Sequence, residues 1–262
     1  MLLLRRSLLL ACTLACLGSA PAWAEPPKPL MFCFENTVQH PWSTPSGDGL
    51  NFELLKRVEK QLGEHFIYAA KPWRRCLEEL RIGMVDSVIA AADIPERRHF
   101  AVYPTLPDGR TDPARALFED NIYVFLRVGG QASWDGRQLI SPHREVGLPS
   151  GYAIATLVRQ QGLIARDMIK SPEDGLRMLA NGMFDAVILE GAQAANLARQ
   201  DPRFQGKVAQ AQPPFAVLDL HLPFSRRTYD RDPQPVEAIW RAIAAVRQSA
   251  EYRQLASQAA AH

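Results

Sequence analysis

Apolar positions along the first half of the chain follow two alternating rhythms. Leu50, Leu54, Leu55, Val58 and Leu62 recur at helical spacing and Gly63 ends the run, which predicts an amphipathic helix over 50–62. Short apolar runs lie on either side, so residues 30–34 and 65–70 read as strands. A second helix over 73–82 is closed by Gly83, and a third strand follows over 85–91. The second half repeats the alternation. Residues 145–148 read as a strand, and 152–161 as a helix that begins after Ser150 and Gly151. Ser171-Pro172-Glu173-Asp174 carries the signals of a helix start: a capping serine, proline at the first position and acids in the first turn. That helix ends at Gly182, and 184–190 is another buried strand. Val236, Ile239, Trp240, Ile243 and Val246 line one face of a last helix. Strands alternating with helices predict an α/β architecture with parallel pairing and right-handed crossovers.

One unit occurs twice. Leu77, Leu80, Gly83, Met84, Asp86, Val88 and Ile89 return as Leu176, Leu179, Gly182, Met183, Asp185, Val187 and Ile188, each pair 99 residues apart. The gapless register points to one helix–glycine–strand unit used once in each of two related lobes. A chain of this size suits two lobes of about 100 residues each. Asp86 and Asp185 read as braces of the repeated unit rather than as ligand contacts.

Ligands in open α/β sheets sit beyond the carboxyl ends of the strands, so the strand ends are where chemistry is sought. In the first copy the strand runs into Ala90, Ala91, Ala92 and Asp93, then Pro95-Glu96-Arg97-Arg98. In the second it runs into Leu189, Glu190 and Gly191. One lobe therefore presents arginine and the other a carboxylate. A guanidinium binds a carboxylate bidentately and Glu190 can take an ammonium, so the two facing across a cleft would suit a zwitterion. The small alanines would let a ligand approach the backbone. The competing reading makes Arg97 and Arg98 solvated charges on a surface turn. An uncompensated acid at the end of a buried strand is costly, which favours a function or a salt bridge for Glu190.

The amino terminus sets the expected compartment. MLLLRRSLLLACTLACLGSAPAWAEPP has a charged start at Arg5 and Arg6, an apolar run from Ser7 to Leu17, and Ala22-Trp23-Ala24 as a small-x-small cleavage site. That is the layout of a secretory signal peptide, with an apolar run too short to span a bilayer. Residues 1–24 are read as the leader and the periplasm as the destination. A lipidated Cys12 or Cys16 is the alternative, and the intact downstream cleavage site argues against it. No other segment is apolar for long enough to cross a membrane, so no stable insertion is expected. The leader carries two of the 30 Lys and Arg residues and none of the 28 Asp and Glu residues. The remaining charge balance argues against nucleic acid or an anionic membrane as partner. Cys33 and Cys76 lie beyond the leader. An oxidising compartment allows them to pair, with two buried free thiols as the alternative. The six histidines lack metal-ligand spacing, and neither a phosphate-binding glycine loop nor a nucleophile elbow is present. No metal and no cofactor are expected.

FCFENTVQHPW (32–42), GLNFELLKRVEKQLG (49–63), PWRRCLEELRIGMVDSVIAAADIPERR (72–98), VGLPSGYA (146–153) and NGMFDAVILE (181–190) resemble periplasmic solute-binding proteins of the polar-amino-acid type. These are the ligand-capturing components of ABC importers, and the likeness in order and spacing runs through essentially all of the chain after the leader. It implies a type 2 periplasmic binding fold: α/β, two-lobed, each lobe a mostly parallel sheet flanked by helices, with the ligand cleft between lobes. Residues 25–118 and 222–262 would form lobe 1 and residues 119–221 lobe 2.

The family's carboxylate-holding arginine falls on Arg97 or Arg98, with Arg97 preferred from its spacing to the 100–103 strand. Its acid for the ligand amino group falls on Glu190. Its backbone contact at a helix start falls on Gly151, Tyr152 and Ala153, where N–H groups suit an anion. Its first-loop wall falls near Glu35, Gln39 and Trp42. Trp73, Ala91 and Asp93 complete the expected ligand-binding set, with packing as the alternative reading for Trp42 and Trp73. Ala90 and Ala91 stand where hydroxyl residues are usual, Asp93 where serine is common, and Tyr152 and Ala153 where threonine is usual.

The implied function is capture of a small polar ligand, an amino acid or related carboxylate, by a monomer that closes by hinge bending and docks on a membrane permease. No catalysis is expected. Two rivals would use the same fold. One is a periplasmic dehydratase of cyclohexadienyl acids, in which Glu190, Asp93 or Glu35 would do acid–base work. The other is the soluble ligand-binding partner of a sensor.

Overall fold

The computed structural model describes residues 28–260, so the expected leader and its cleavage site lie outside the described residues. Two sheets organise the chain. The first runs, edge to edge, Phe66–Lys71, Leu30–Glu35, Ser87–Val88, Phe224–Ser225 and Ala101–Val102. Its first three strands are parallel and the last two join antiparallel. Successive side chains on a strand point to opposite faces. Phe32 and Phe34 accordingly meet Phe52, Leu55, Ile239 and Trp240 beneath helices Leu50–Leu62 and Pro233–Gln248. Cys33, between them, points to the other face, where it meets Cys76, Leu80 and Val88 beneath helix Trp73–Arg81. There Cys33 and Cys76 form a disulfide with Cα atoms 5.4 Å apart, so the pairing holds and the free-thiol alternative falls.

The second sheet runs Ile164–Ile169, Glu145–Pro149, Ala186–Glu190, Phe118–Arg127, Ala216–His221 and Ala91–Ala92. Its first three strands are parallel, and the others extend that core antiparallel. Ala186 and Ile188 face Ile154 and Val158 of helix Ile154–Gln160, while Val187 and Leu189 face helices Pro172–Ala180 and Gly191–Gln200. Each lobe is thus a sheet covered on both faces, which is why its central strands read as continuous apolar runs.

The duplicated segment is one structure built twice. In each copy a helix ends, a glycine takes a left-handed φ (69° at Gly83, 75° at Gly182), and a parallel strand enters the middle of a sheet. The aspartate in each copy braces the unit. Asp86 accepts from the Met31 amide at 2.8 Å and the Thr228 hydroxyl at 2.7 Å, and Asp185 accepts from Arg127 Nε at 2.7 Å.

The structure departs from the periodicity at three places. Residues 85–91 are not one strand. Ala90 has φ 65°, a left-handed value that is unfavourable for a residue with a Cβ. The chain turns there, leaves the first sheet after Val88, and lays Ala91–Ala92 on the edge of the second against Leu220 and His221. Next, Phe118–Arg127 and Ala216–His221 form an antiparallel ribbon from Phe118 opposite Leu220 to Ile122 opposite Ala216. Phe118 and Leu220 are buried in the first core and Ile122 in the second, so the ribbon joins the lobes. Last, a further helix, Ala250–Ala260, follows Pro233–Gln248. Among the described residues no helix is long and apolar enough to cross a membrane.

Candidate ligand cleft between the sheets

The carboxyl ends of the central strands converge where the two lobes meet, and the turn at Ala90 aims the first of them. After Ala91–Ala92 the chain forms the short helix Pro95–Arg98, which turns Arg97 inward until it is only 5% exposed. Its Nη1 donates to the Ala92 carbonyl at 2.8 Å, and its Nη2 reaches across the cleft to the Gly151 carbonyl at 3.0 Å. The guanidinium carbon lies 5.5 Å from the centroid of the Trp73 ring, a cation–π arrangement. Two carbonyls use only part of a five-donor fork, which leaves donor capacity to meet an anion.

Other contacts cross the same gap. The Tyr152 hydroxyl donates to Glu35, and Gln39 Nε2 donates to Glu35 at 2.9 Å and to the Tyr152 oxygen at 2.8 Å. Arg74 donates to Ser150 Oγ at 2.5 Å and pairs with Asp167, which also accepts from the Gly151 amide at 2.8 Å. Gly151 has φ 81°, and a Cβ there would sit 3.0 Å from Arg74 Cγ and 3.4 Å from Trp73 Cδ1. The lobes are therefore closed on one another.

Closure leaves two compartments. The inner one holds about 370 Å³ of atom-free space, solvent opening included, between Arg97, Trp73, Ala90, Ala92, Ala153 and Leu220. The outer one holds about 520 Å³ on the same measure and is walled by Trp42, Phe118, Asp120, Pro172 and Gln193. Glu35, Gln39, Tyr152 and Glu190 line both. Trp42 stacks on Phe118 with ring centroids 3.8 Å apart.

The cleft is rich in carboxyls held out of water. Burial lifts Glu35 to about 7 against the opposing hydrogen bond from Tyr152. Burial likewise lifts Asp120 to about 7, opposed by the backbone N–H of Asn121. Glu190 is pushed well up, first by burial and then by Asp120 and Glu35, with Arg97 pulling the other way. The Tyr152 hydroxyl is also raised, by burial and then by the Glu35 and Glu190 carboxylates.

Most of the residues singled out in the sequence meet here. Arg97, Glu190, Glu35, Gln39, Trp42, Trp73, Tyr152 and Ala153 line the two compartments. Gly151 differs from the expectation of an N–H offered to an anion: Asp167 takes its amide, and it is the carbonyl that meets Arg97. Three others lie elsewhere. Arg98 is exposed, pairs with Asp93 and touches Thr111, because neighbouring positions on a helix turn point to different sides. Burial alone would raise Asp93, but the hydrogen bonds from Arg98 and Thr111 hold its carboxylate below the usual range. Ala91 faces the Cys33–Cys76 side of the first sheet, and it is Ala90 and Ala92 that face the cavity.

Asp120 was not anticipated. A signal for it exists: in FEDNIYVF the acid occupies the inward phase shared by Phe118, Ile122 and Val124.

No protein-family model and no curated protein matches the chain. Solved structures do. The arginine-, lysine-, histidine-binding protein ArtJ from Geobacillus stearothermophilus superposes with a TM-score of 0.68 at 16% identity, over 88% of this chain and 95% of that one. The GluR0 ligand-binding core from Nostoc punctiforme, in complex with L-glutamate, gives 0.65 at 16% identity, over 88% and 99%. A histidine kinase sensor domain with similarity to periplasmic binding proteins gives 0.67 at 14% identity, over 88% and 96%. At such identities the likeness is one of fold: the chain has the two-lobed periplasmic-binding-protein-like architecture.

Proposed function

We propose that this protein captures a small polar ligand, an amino acid or related carboxylate, by closing its two lobes around it, and hands it to the permease of an ABC importer in the periplasm. The observation that carries this reading is the presence of Arg97 from one lobe and Glu190 from the other on the walls of one cavity. Arg97 is buried, free of any ion pair among the described residues, and backed by Trp73, a setting in which a carboxylate is bound strongly. Glu190 sits opposite, where an ammonium would relieve its burial. The fold neighbours are themselves ligand-binding proteins, which supports binding over catalysis. The division into residues 25–118 with 222–262 and residues 119–221 belongs to this proposal, as do export after Ala24 and action as a monomer.

A calorimetric screen of amino acids, dicarboxylates and amines tests it. Arg97→Ala is expected to weaken a carboxylate ligand by about 2–5 kcal/mol, the scale for removing one partner of a desolvated charge pair. Glu190→Gln is expected to harm zwitterions and cations and to spare simple carboxylates. Unchanged affinity in Arg97→Ala would discard the carboxylate clamp. Amino-terminal sequencing of the periplasmic protein is expected to begin at Glu25.

A second reading has one observation in its favour. Glu35, near 7 and hydrogen-bonded to Tyr152, has the properties of a general acid, which suits a dehydratase on this fold. Incubation with prephenate or arogenate, followed for the aromatic product, separates the two.

A further inference from the structure

Asp120 has no place in the clamp just described. It lies on the ribbon that joins the lobes, is only 8% exposed, and lines the outer compartment. Apart from the amide of Asn121, no donor reaches its carboxylate among the described residues, and it forms no ion pair. Gly191 makes room for it: a Cβ on that residue would sit 2.7 Å from Asp120 Oδ1. A buried carboxylate with one amide donor and no counter-charge, facing a cavity, is costly unless something in the cavity compensates it.

The charges around the compartment decide what that is. Glu35 and Glu190 face it along with Asp120, and the only bases lining it are His40 and Lys170, both exposed. Arg97 belongs to the inner compartment, where backbone carbonyls already engage it. With all three carboxyls ionised, the closed cleft would carry more negative than positive charge, and of the three only Asp120 is confined to the compartment away from Arg97. Among the described residues no group of carboxylates and imidazoles is arranged to hold a metal ion, so an organic cation is the fitting counter-charge. The stacked Trp42 and Phe118 offer an aromatic wall, on which alkyl carbons pack and against whose face a cation is attracted.

We infer that the outer compartment is a cation subsite in which Asp120, supported by Glu190 and the Trp42–Phe118 wall, holds the distal ammonium or guanidinium of an elongated ligand whose carboxylate lies at Arg97. This rests on the capture reading above and narrows it to ligands that carry positive charge at the far end. Burial favours the neutral form of the Asp120 carboxyl up to about 7, and a cation bound beside it would return it to the ionised form.

Three probes separate the parts: L-lysine, L-norleucine, which has the same chain without the ammonium, and 1,5-diaminopentane, which has no carboxylate. Each is titrated calorimetrically into the wild type and Asp120→Asn, with Asp120→Ser as the second truncation should the first not fold. Lysine is expected to bind the wild type at least about ten-fold tighter than norleucine, and that ratio is expected to fall to about one in the variant. Equal affinities in the wild type, or a ratio that survives in the variant, would overturn the subsite and leave the capture reading standing. Diamine binding that depends on Asp120, with neither amino acid bound, would uphold the subsite and overturn the Arg97 clamp. Binding of none of the three would overturn the subsite.

Discussion

Glu35→Gln is expected to flatten the pH dependence of stability. In the wild type, burial lifts the Glu35 carboxyl from 4.5 to about 7, with the Tyr152 hydrogen bond opposing. A carboxyl raised in this way binds more protons folded than unfolded across that window, so stability falls as pH rises. Its contribution is fully present below 4.5 and is lost as pH passes through 7. At about 1.4 kcal/mol per unit, the shift corresponds to about 3 kcal/mol. Glutamine keeps the shape, still accepts from Tyr152, and has no proton to lose. Glu190 is raised in part by the Glu35 charge, so its relief in the variant acts in the same direction. The slope due to Asp120 is common to both proteins and cancels in their difference. Denaturant unfolding of both proteins at about pH 4.5, 6 and 7.5, at fixed ionic strength, reads the effect for the closed form, in which Tyr152 covers Glu35. The variant is expected to gain about 3 kcal/mol on the wild type between the ends of that range. Parallel curves, or a gap that closes as pH rises, would refute the claim that burial of Glu35 sets its titration.

Gly151→Ala forces a side chain into a left-handed backbone conformation beside Arg74 and Trp73, and is expected to disfavour the closed form by about 1–2 kcal/mol. Small-angle scattering at saturating ligand should then show a larger radius of gyration than the wild type, and an unchanged radius would count against it. Arg74→Ala removes the Arg74–Asp167 pair at the cleft edge, but Arg74 is largely exposed, so the loss of ligand affinity should stay below about 1 kcal/mol and vanish at high salt. Calorimetry at two ionic strengths checks this. Reducing the Cys33–Cys76 bond opens a loop that spans 43 residues and should cost about 2–4 kcal/mol of stability. An unfolding midpoint indifferent to reductant would contradict that role.

What could be read in the linear sequence is what local physics decides. The helix over 50–62 ends at Gly63 because a left-handed residue there satisfies the last turn, and the glycine and the apolar period are both visible without a partner. The duplicated helix–glycine–strand unit and the serine cap at 171 are of the same kind, whereas the Cys33–Cys76 pairing was open in the sequence and is decided by the packing of helix 73–81 on the first sheet.

The site was legible only in outline. Arg97 and Arg98 are adjacent and chemically identical. What separates them is that Asp93 and Thr111 engage one, while Trp73 and the Gly151 carbonyl, 54 residues away, receive the other. Ala90 reads as strand because its left-handed turn is imposed by the neighbouring sheet, which takes Ala91–Ala92 as its edge. Asp120 looks like one more polar residue until the ribbon carries it between the lobes. Contacts distant in sequence leave no local periodicity, and the charge balance of a closed cleft exists only once both lobes have folded around it.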